Sequence, residues 1–158
     1  MSDSSPVRDV LPLLVRVAVA GLMITYGVEK MAGLEDFLKS IHSYGILPTR
    51  PPWILNLAAD GIPVLEIFGG LCLLFGFWRR AASLVLAYFL VVFTAAILWR
   101  TFQVMDETGQ AFTEVAFDCG CGSGVVVIWE KTLFNLTLLL GTLYVGFRPR
   151  RRRDADGV

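Results

Sequence analysis

Cys119 and Cys121, one residue apart in the run Asp-Cys-Gly-Cys-Gly, are the side chains best suited to chemistry. A disulfide between them would close a small, strained ring, and strain makes a disulfide easier to reduce. The third cysteine, Cys72, lies about 18 Å along a predicted helix, too deep to reach this loop easily. The pair therefore predicts thiol–disulfide exchange. Capture of a soft metal or other thiophilic ligand, and an inert or intermolecular role, are the alternatives.

Charged side chains in the neighbouring apolar segments are the next candidates. Lys30, Glu66 and Lys131 fall within or at the ends of predicted membrane helices, on the same side as the thiols. Ionised groups in a bilayer are costly and usually mark function. Pairing of Lys30 or Lys131 with Glu66 would neutralise both charges; Glu66 would carry a proton for the thiols, and a lysine would favour the thiolate. Alternatively, these charges only stabilise the packing of the helices, and the side chains of Glu29 and Lys30 only extend to the membrane–water interface.

Three other polar side chains form a candidate cofactor-binding set. Asn135 lies in the last predicted membrane helix and would hold a quinone carbonyl, with a hydrogen bond between helices as the alternative. Tyr26 shares a helix face with Lys30. Glu130, which directly precedes Lys131 in the sequence, is the third member of the set.

The composition predicts a single all-α membrane domain. The chain has 158 residues, of which 55% are hydrophobic and 18% charged, and zero net charge gives no reason to expect nucleic-acid binding. Apolar runs of roughly 18–23 residues are long enough to cross a bilayer. Asp60 is expected to cap the second run, with Pro63 in its first turn. The predicted four-transmembrane-helix bundle has spans at 11–32, 60–78, 81–98 and 125–147.

The distribution of arginines predicts the orientation of this bundle. An Arg-Arg pair at 79–80 lies between the second and third spans, and a basic tail at 148–158 follows the fourth. Because positive residues mark the cytoplasmic side, both termini are predicted to be cytoplasmic. The loops at 33–58 and 99–124, the second of which carries the thiols, then lie on the side away from the cytoplasm. In a bacterium this is the outer side of the inner membrane. A short interfacial helix is expected at 37–44.

Several short motifs resemble, in order and spacing, those of a known family of small membrane proteins. They are Gly-Val-Glu-Lys-Met at 27–31, Tyr-Gly-Ile-Leu-Pro at 44–48, Pro-Val-Leu-Glu at 63–66, Gly-Gly-Leu-Cys-Leu-Leu at 69–74, Arg-Ala-Ala at 80–82 and Asp-Cys-Gly-Cys-Gly at 118–122. Over about 11–147 the chain resembles the DoxX-like proteins, most closely their MauE (methylamine utilisation) branch. The resemblance implies a four-helix membrane protein linked to periplasmic thiol–disulfide chemistry, with an extracytoplasmic thioredoxin-like partner. Its layout is similar to that of quinone-linked oxidases such as the vitamin K epoxide reductase group.

The leading hypothesis is a membrane thiol–disulfide oxidoreductase, or its electron-transfer subunit, that supports disulfide formation or maturation of a partner protein. Cys119 and Cys121 would be its redox pair, and a quinone in the outer half of the bundle is a candidate electron acceptor. The alternatives are a transporter of a thiophilic metal or small sulfur species, and a noncatalytic assembly factor. A transport path needs polar residues that continue inward, and the inner half offers little beyond Asn135, Thr94 and Cys72.

Overall fold

The computed structural model describes residues 7–48, 50–120 and 124–148, which form five helices and one short β-hairpin. In chain order the elements are α1 (Val7–Ala32), α2 (Leu34–Ser43), α3 (Trp53–Phe75), α4 (Arg79–Thr108), β1 (Ala116–Asp118), β2 (Val125–Val127) and α5 (Ile128–Phe147). The short helix predicted in the first loop is present as α2.

Three helices among the described residues are long and apolar enough to cross a membrane: Val10–Ala32 within α1, α3 and α4. The protein is therefore a helical membrane protein, as predicted. α5 has 20 residues and carries Glu130, Lys131 and Asn135, and it is not one of these three helices. Its crossing of the membrane, the count of four spans and the sides on which the termini lie stay predictions.

α3 begins well before the second predicted span. Its first residue is Trp53, directly after Pro52, and a proline is tolerated at a helix start because its missing N–H would have no partner there. Asp60 and Pro63 therefore lie inside the helix, and the prediction that Asp60 caps its start is wrong. Hydropathy placed the boundary where the strongly apolar run begins, whereas the helix itself continues into the preceding loop.

The third and fourth predicted spans also differ from the helices that contain them. α4 extends to Thr108 and ends where Gly109 adopts the left-handed conformation, with φ 70°. The start of the fourth predicted span is the strand β2, because the β-branched run Val125–Val127 pairs with β1 before α5 begins.

Small residues allow α1 and α3 to pack closely. A Cβ atom added at Gly27 would lie 2.8 Å from the carbonyl oxygen of Pro63, and one at Gly70 would lie 3.0 Å from that of Ala20. Neither position has room for a larger side chain, so these glycines set the separation of the two helices.

Hydrogen bonds show which helix ends lie together. The Arg16 guanidinium donates to the Leu74 carbonyl, and the Arg79 guanidinium donates to the carbonyls of Val145 at 3.0 Å and Arg148 at 2.9 Å. The start of α1, the end of α3, the start of α4 and the end of α5 therefore share one end of the bundle, here called the arginine end. The opposite end, with α2 and the β-hairpin, is called the thiol end.

Candidate functional site

Cys119 is completely buried at the thiol end. Its sulfur is disulfide-bonded, whereas Cys72 is a buried free thiol in α3. Cys121 lies outside the described residues, so its pairing with Cys119 stays a prediction. The apolar cluster around Cys119 is formed by Tyr44, Ile97, Val115 and Ile128.

The β-hairpin positions Cys119 next to the start of α5. The two strands are antiparallel, with Asp118 opposite Val125, and Cys119 follows the last paired residue of β1. β2 leads directly into α5, whose first residue, Ile128, donates its backbone N–H to the Val115 carbonyl at 3.0 Å. The cysteine segment is thus tied to the helix that carries Lys131.

Residues 118–120 are also held against α2 and the turn after it. The Tyr44 hydroxyl donates to the Cys119 carbonyl at 2.7 Å, and Asp118 Oδ1 accepts the Gly120 N–H at 2.8 Å. Gly120 has a φ of +67°, and a Cβ atom there would lie 2.6 Å from Cβ of Ser40, so both conformation and space require glycine. Burial raises the pKa of the Tyr44 phenol, as does the charge of Asp118, so the phenol remains a donor at physiological pH.

A buried ion pair lies at the same end. Lys30 Nζ is 2.5 Å from Glu66 Oε1, which is one of the two predicted pairings. The ammonium also lies 5.4 Å from the ring centre of Phe37 and 5.0 Å from that of Phe93. Glu66 Oε2 is buried and has no hydrogen-bond partner among the described residues. The pair thus satisfies the lysine but leaves one carboxylate oxygen without a donor.

A short chain of contacts connects this ion pair to Cys119. Lys30 faces the Phe93 ring, which meets the Tyr44 ring edge-to-face with 6.5 Å between the ring centres. Tyr44 in turn donates to the carbonyl of Cys119. Contacts between residues up to 75 positions apart in sequence therefore join the ion pair to the cysteine segment through two aromatic rings.

The remaining predicted site residues lie in different environments. Lys131 is buried in the first turn of α5, with Nζ 4.5 Å from the centre of the Tyr26 ring. The Asn135 amide donates to the Thr94 hydroxyl at 3.1 Å, which is the helix-to-helix bond weighed as its alternative role. Glu130 is exposed. The structure brings Lys131 and Tyr26 together, whereas the Asn135 amide bonds to α4 and Glu130 lies on the surface.

An apolar groove of about 930 Å³ between α2, α3 and α4 was not predicted from the sequence. Its walls include Phe37, Tyr44, Glu66, Tyr88, Phe93 and Trp99. Of the candidate site residues, Glu66 lines it, whereas Asn135, Glu130 and Tyr26 do not. The groove forms where α2 packs against α3, so the periodicity of the helices alone could not predict it. The only indication in the sequence was the carboxylate of Glu66 in an apolar region that contains aromatic residues.

The described residues show no group of three or more His, Cys, Asp or Glu side chains that could hold a metal ion. His42, the single histidine of the sequence, is exposed on α2. The described part of the chain thus adds no observation in favour of metal capture.

Fold and site together define a helical membrane protein with a buried, disulfide-bonded cysteine at one end of its helices. The family model of methylamine utilisation protein MauE matches residues 8–148. The chain therefore belongs to the MauE family, which confirms this part of the resemblance, whereas the wider DoxX-like placement stays a prediction. No curated protein and no solved structure gives a significant match.

Proposed function

We propose that this MauE-family protein is a membrane thiol–disulfide oxidoreductase in which Cys119 and Cys121 form the exchanging disulfide. The observation that carries the proposal is the disulfide-bonded state of Cys119 in a segment fixed by Tyr44 and Gly120. Cys72 is a free thiol, and a bond between residues two positions apart closes almost no chain, so it would stabilise the fold little. Exchange chemistry accounts for such a bond better than a structural role does.

Burial of Cys119 assigns different roles to the two sulfurs. A partner thiolate cannot reach a fully buried Cys119, so it attacks the Cys121 sulfur and forms a mixed disulfide, while Cys119 leaves as a thiolate. The partner's second thiolate then attacks the partner sulfur of the mixed disulfide and releases Cys121. The partner gains a disulfide and loses two electrons, which Cys119 and Cys121 hold as a dithiol.

A lipid-soluble quinone is the proposed acceptor that returns the pair to the disulfide. The dithiol gives up two electrons and two protons, and the quinone takes both to become a quinol. Lys131 is the proposed source of positive charge for the thiolate, because Lys30 is already neutralised by Glu66. Lys131 lies one turn after Ile128, which packs against Cys119.

The proposed partner is an extracytoplasmic thioredoxin-fold protein, and the proposed location is a bacterial inner membrane with the thiol end facing the periplasm. This orientation follows from the arginines at the opposite end and requires α5 to be the fourth span. The family's description connects MauE with methylamine utilisation. The proposed biological role is therefore maturation of a disulfide-containing protein of that process.

The redox state of Cys119 and Cys121 in purified membranes is the first test. Alkylation mass shifts, recorded before and after reductant and then after a soluble quinone, should show a disulfide that quinone regenerates. A Cys72→Ala variant is the matched control and should behave like the unchanged protein. Permanently free thiols that protect a bound metal from chelation would contradict the proposal and favour metal capture.

Single cysteine variants test the roles of the two sulfurs. With Cys119→Ser, Cys121 should displace thionitrobenzoate from a single-cysteine thioredoxin activated as its thionitrobenzoate mixed disulfide. The resulting adduct has no second thiol to resolve it and should be visible on a non-reducing gel. With Cys121→Ser, the buried Cys119 should form little adduct. The reverse pattern would overturn the assignment of Cys121 as the attacked sulfur.

A further inference from the structure

The groove between α2, α3 and α4 opens on the outer face of the helices. Tyr88 and Trp99 line it, yet they are 65% and 56% exposed. In a membrane protein an exposed apolar face of this kind contacts lipid, so a ligand would enter the groove from the bilayer. With about 930 Å³, the groove is large enough for an aromatic ring with part of an apolar tail.

In the described part of the chain, one charged side chain lines this otherwise apolar groove. Glu66 lines it, and Glu66 Oε2 is buried without a hydrogen-bond partner among the described residues. Lys30 holds only the other carboxylate oxygen, at 2.5 Å. A buried carboxylate oxygen without a donor is unfavourable, so the groove is suited to an apolar molecule that brings one hydrogen-bond donor.

Aromatic side chains indicate the shape of that molecule. Phe37, Phe93 and Tyr88 all line the groove, and rings pack well against a planar ring. Apolar surroundings, aromatic side chains and an acceptor that needs a hydroxyl donor together match a quinol with an apolar tail. A plain lipid chain would leave Glu66 Oε2 without a donor. The oxidised quinone has no hydroxyl either, so the groove is expected to bind the quinol more tightly than the quinone that enters the cycle.

The groove also lies beside the cysteine segment. Tyr44 and Phe37 line it, Tyr44 donates to the Cys119 carbonyl, and Phe37 borders Gly120. A ring bound against these side chains would therefore lie next to the proposed redox pair. The quinone acceptor of the proposed function requires this proximity.

We propose that the groove between α2, α3 and α4 binds a lipid-soluble quinol, one ring hydroxyl of which donates a hydrogen bond to Glu66 Oε2 once the carboxylate turns toward the groove. The inference rests on the proposed function for its role in the cycle: quinone and dithiol enter, and quinol and disulfide leave, with two electrons and two protons transferred. Binding itself does not depend on the thiols.

The test measures binding in full-length protein that carries Cys119→Ser and Cys121→Ser, so that its result is independent of thiol chemistry. Decylubiquinol is the probe, and quenching of tryptophan fluorescence is the readout because Trp99 lines the groove. The dimethyl ether of the probe, which cannot donate a hydrogen bond, should bind about tenfold more weakly. Glu66→Gln should reduce this difference between the two compounds.

A matched pair of glycine variants blocks the groove without relying on a charge change. Gly61 lines the groove and Gly21 lies on α1, and a Cβ atom at either position would meet nothing within 4 Å. Gly61→Phe should weaken probe binding about tenfold or more, whereas Gly21→Phe should leave it unchanged. Equal affinity for the probe and its ether, or unchanged binding in Gly61→Phe, would overturn the proposal.

Reoxidation of the cysteine pair separates this site from the proposed function. If the probe binds as expected but quinone does not restore the disulfide in protein with both cysteines, the site stands and the proposed redox cycle fails. If quinone restores the disulfide equally fast in Gly61→Phe, the redox cycle stands and the groove is not its quinone site.

Discussion

Lys30 and Glu66 form a buried ion pair at the thiol end, with Nζ and Oε1 2.5 Å apart. Lys30→Met should destabilise the protein by about 3–5 kcal/mol, since the carboxylate stays buried without its counter-charge. Denaturant unfolding in detergent measures this loss. The double variant Lys30→Met/Glu66→Leu should regain most of the stability, because two apolar side chains require no desolvation.

The surface pair of Lys39 and Asp36, 3.0 Å apart, provides the comparison. Both side chains are exposed, so Lys39→Ala should not measurably change unfolding. If Lys30→Met and the double variant prove equally stable, the buried carboxylate is not the source of the loss, and the expected origin of the effect is wrong.

Tyr44 is the second residue whose substitution is expected to lower the stability of the protein. Tyr44→Phe removes the donor to the Cys119 carbonyl and leaves that buried oxygen without this bond, which should lower the free energy of unfolding by about 1–3 kcal/mol. Tyr88→Phe, at an exposed position on α4, is the control. Thermal unfolding in detergent distinguishes the two, and equal midpoints would contradict a structural role for the hydroxyl.

Sequence reasoning could identify the charged residues but not what Tyr44 contacts. An unpaired charge within an apolar segment is costly, so the pairing of Lys30 with Glu66 could be predicted. The bond between Tyr44 and Cys119 joins residues 75 positions apart and depends on how α2 docks. No local spacing rule contains that information.

At the scale of elements, the contact between the hairpin and α2 can be isolated with two glycines. Gly120 and Gly124 both have positive φ, at +67° and +68°, but only a Cβ at Gly120 would collide, with Ser40. Gly124→Ala should cost about 1–2 kcal/mol through backbone strain alone. Gly120→Ala should cost more and should speed alkylation of Cys119 after reduction, because the segment moves off α2.

Alkylation rates followed by mass spectrometry, with unfolding measured in parallel, check this expectation. Equal effects of the two substitutions would mean that packing against Ser40 does not hold the cysteine segment in place.

Element boundaries were predicted less well than the elements themselves. An apolar run marks each of the four long helices among the described residues, because burial and lipid exposure both select apolar residues. Hydropathy did not predict the start of α3 at Trp53, because a helix can continue into a half-exposed segment. It did not predict the strand Val125–Val127 either, because a run of valines fits both a strand and a helix. The hairpin is specified by its pairing partner, which hydropathy does not show.

At the scale of the whole molecule, the number of membrane crossings is the main prediction to test. In a background without the three native cysteines, single cysteines at Gln110, in the loop after α4, and at Phe77, between α3 and α4, report the two ends of the bundle. An impermeant maleimide should label Gln110→Cys in intact cells and Phe77→Cys only after lysis.

Asp154→Cys in the basic tail then tests α5. It should behave like Phe77→Cys if α5 crosses the membrane. Labelling of Asp154→Cys from outside intact cells would show that the chain has three crossings and that the tail lies on the same side as the thiol end.

Translation delivers α5 to the membrane after α1, α3 and α4 have left the ribosome. Its buried face carries Lys131 and Asn135, and α5 bonds α4 through Asn135 to Thr94 and through the Thr142 carbonyl to Ser83. Such a helix enters lipid alone only with difficulty, so we expect it to insert against α4. The segment with Cys119 lies between α4 and α5, so in the proposed orientation oxidation of Cys119 would report that α1, α3 and α4 are already in the membrane.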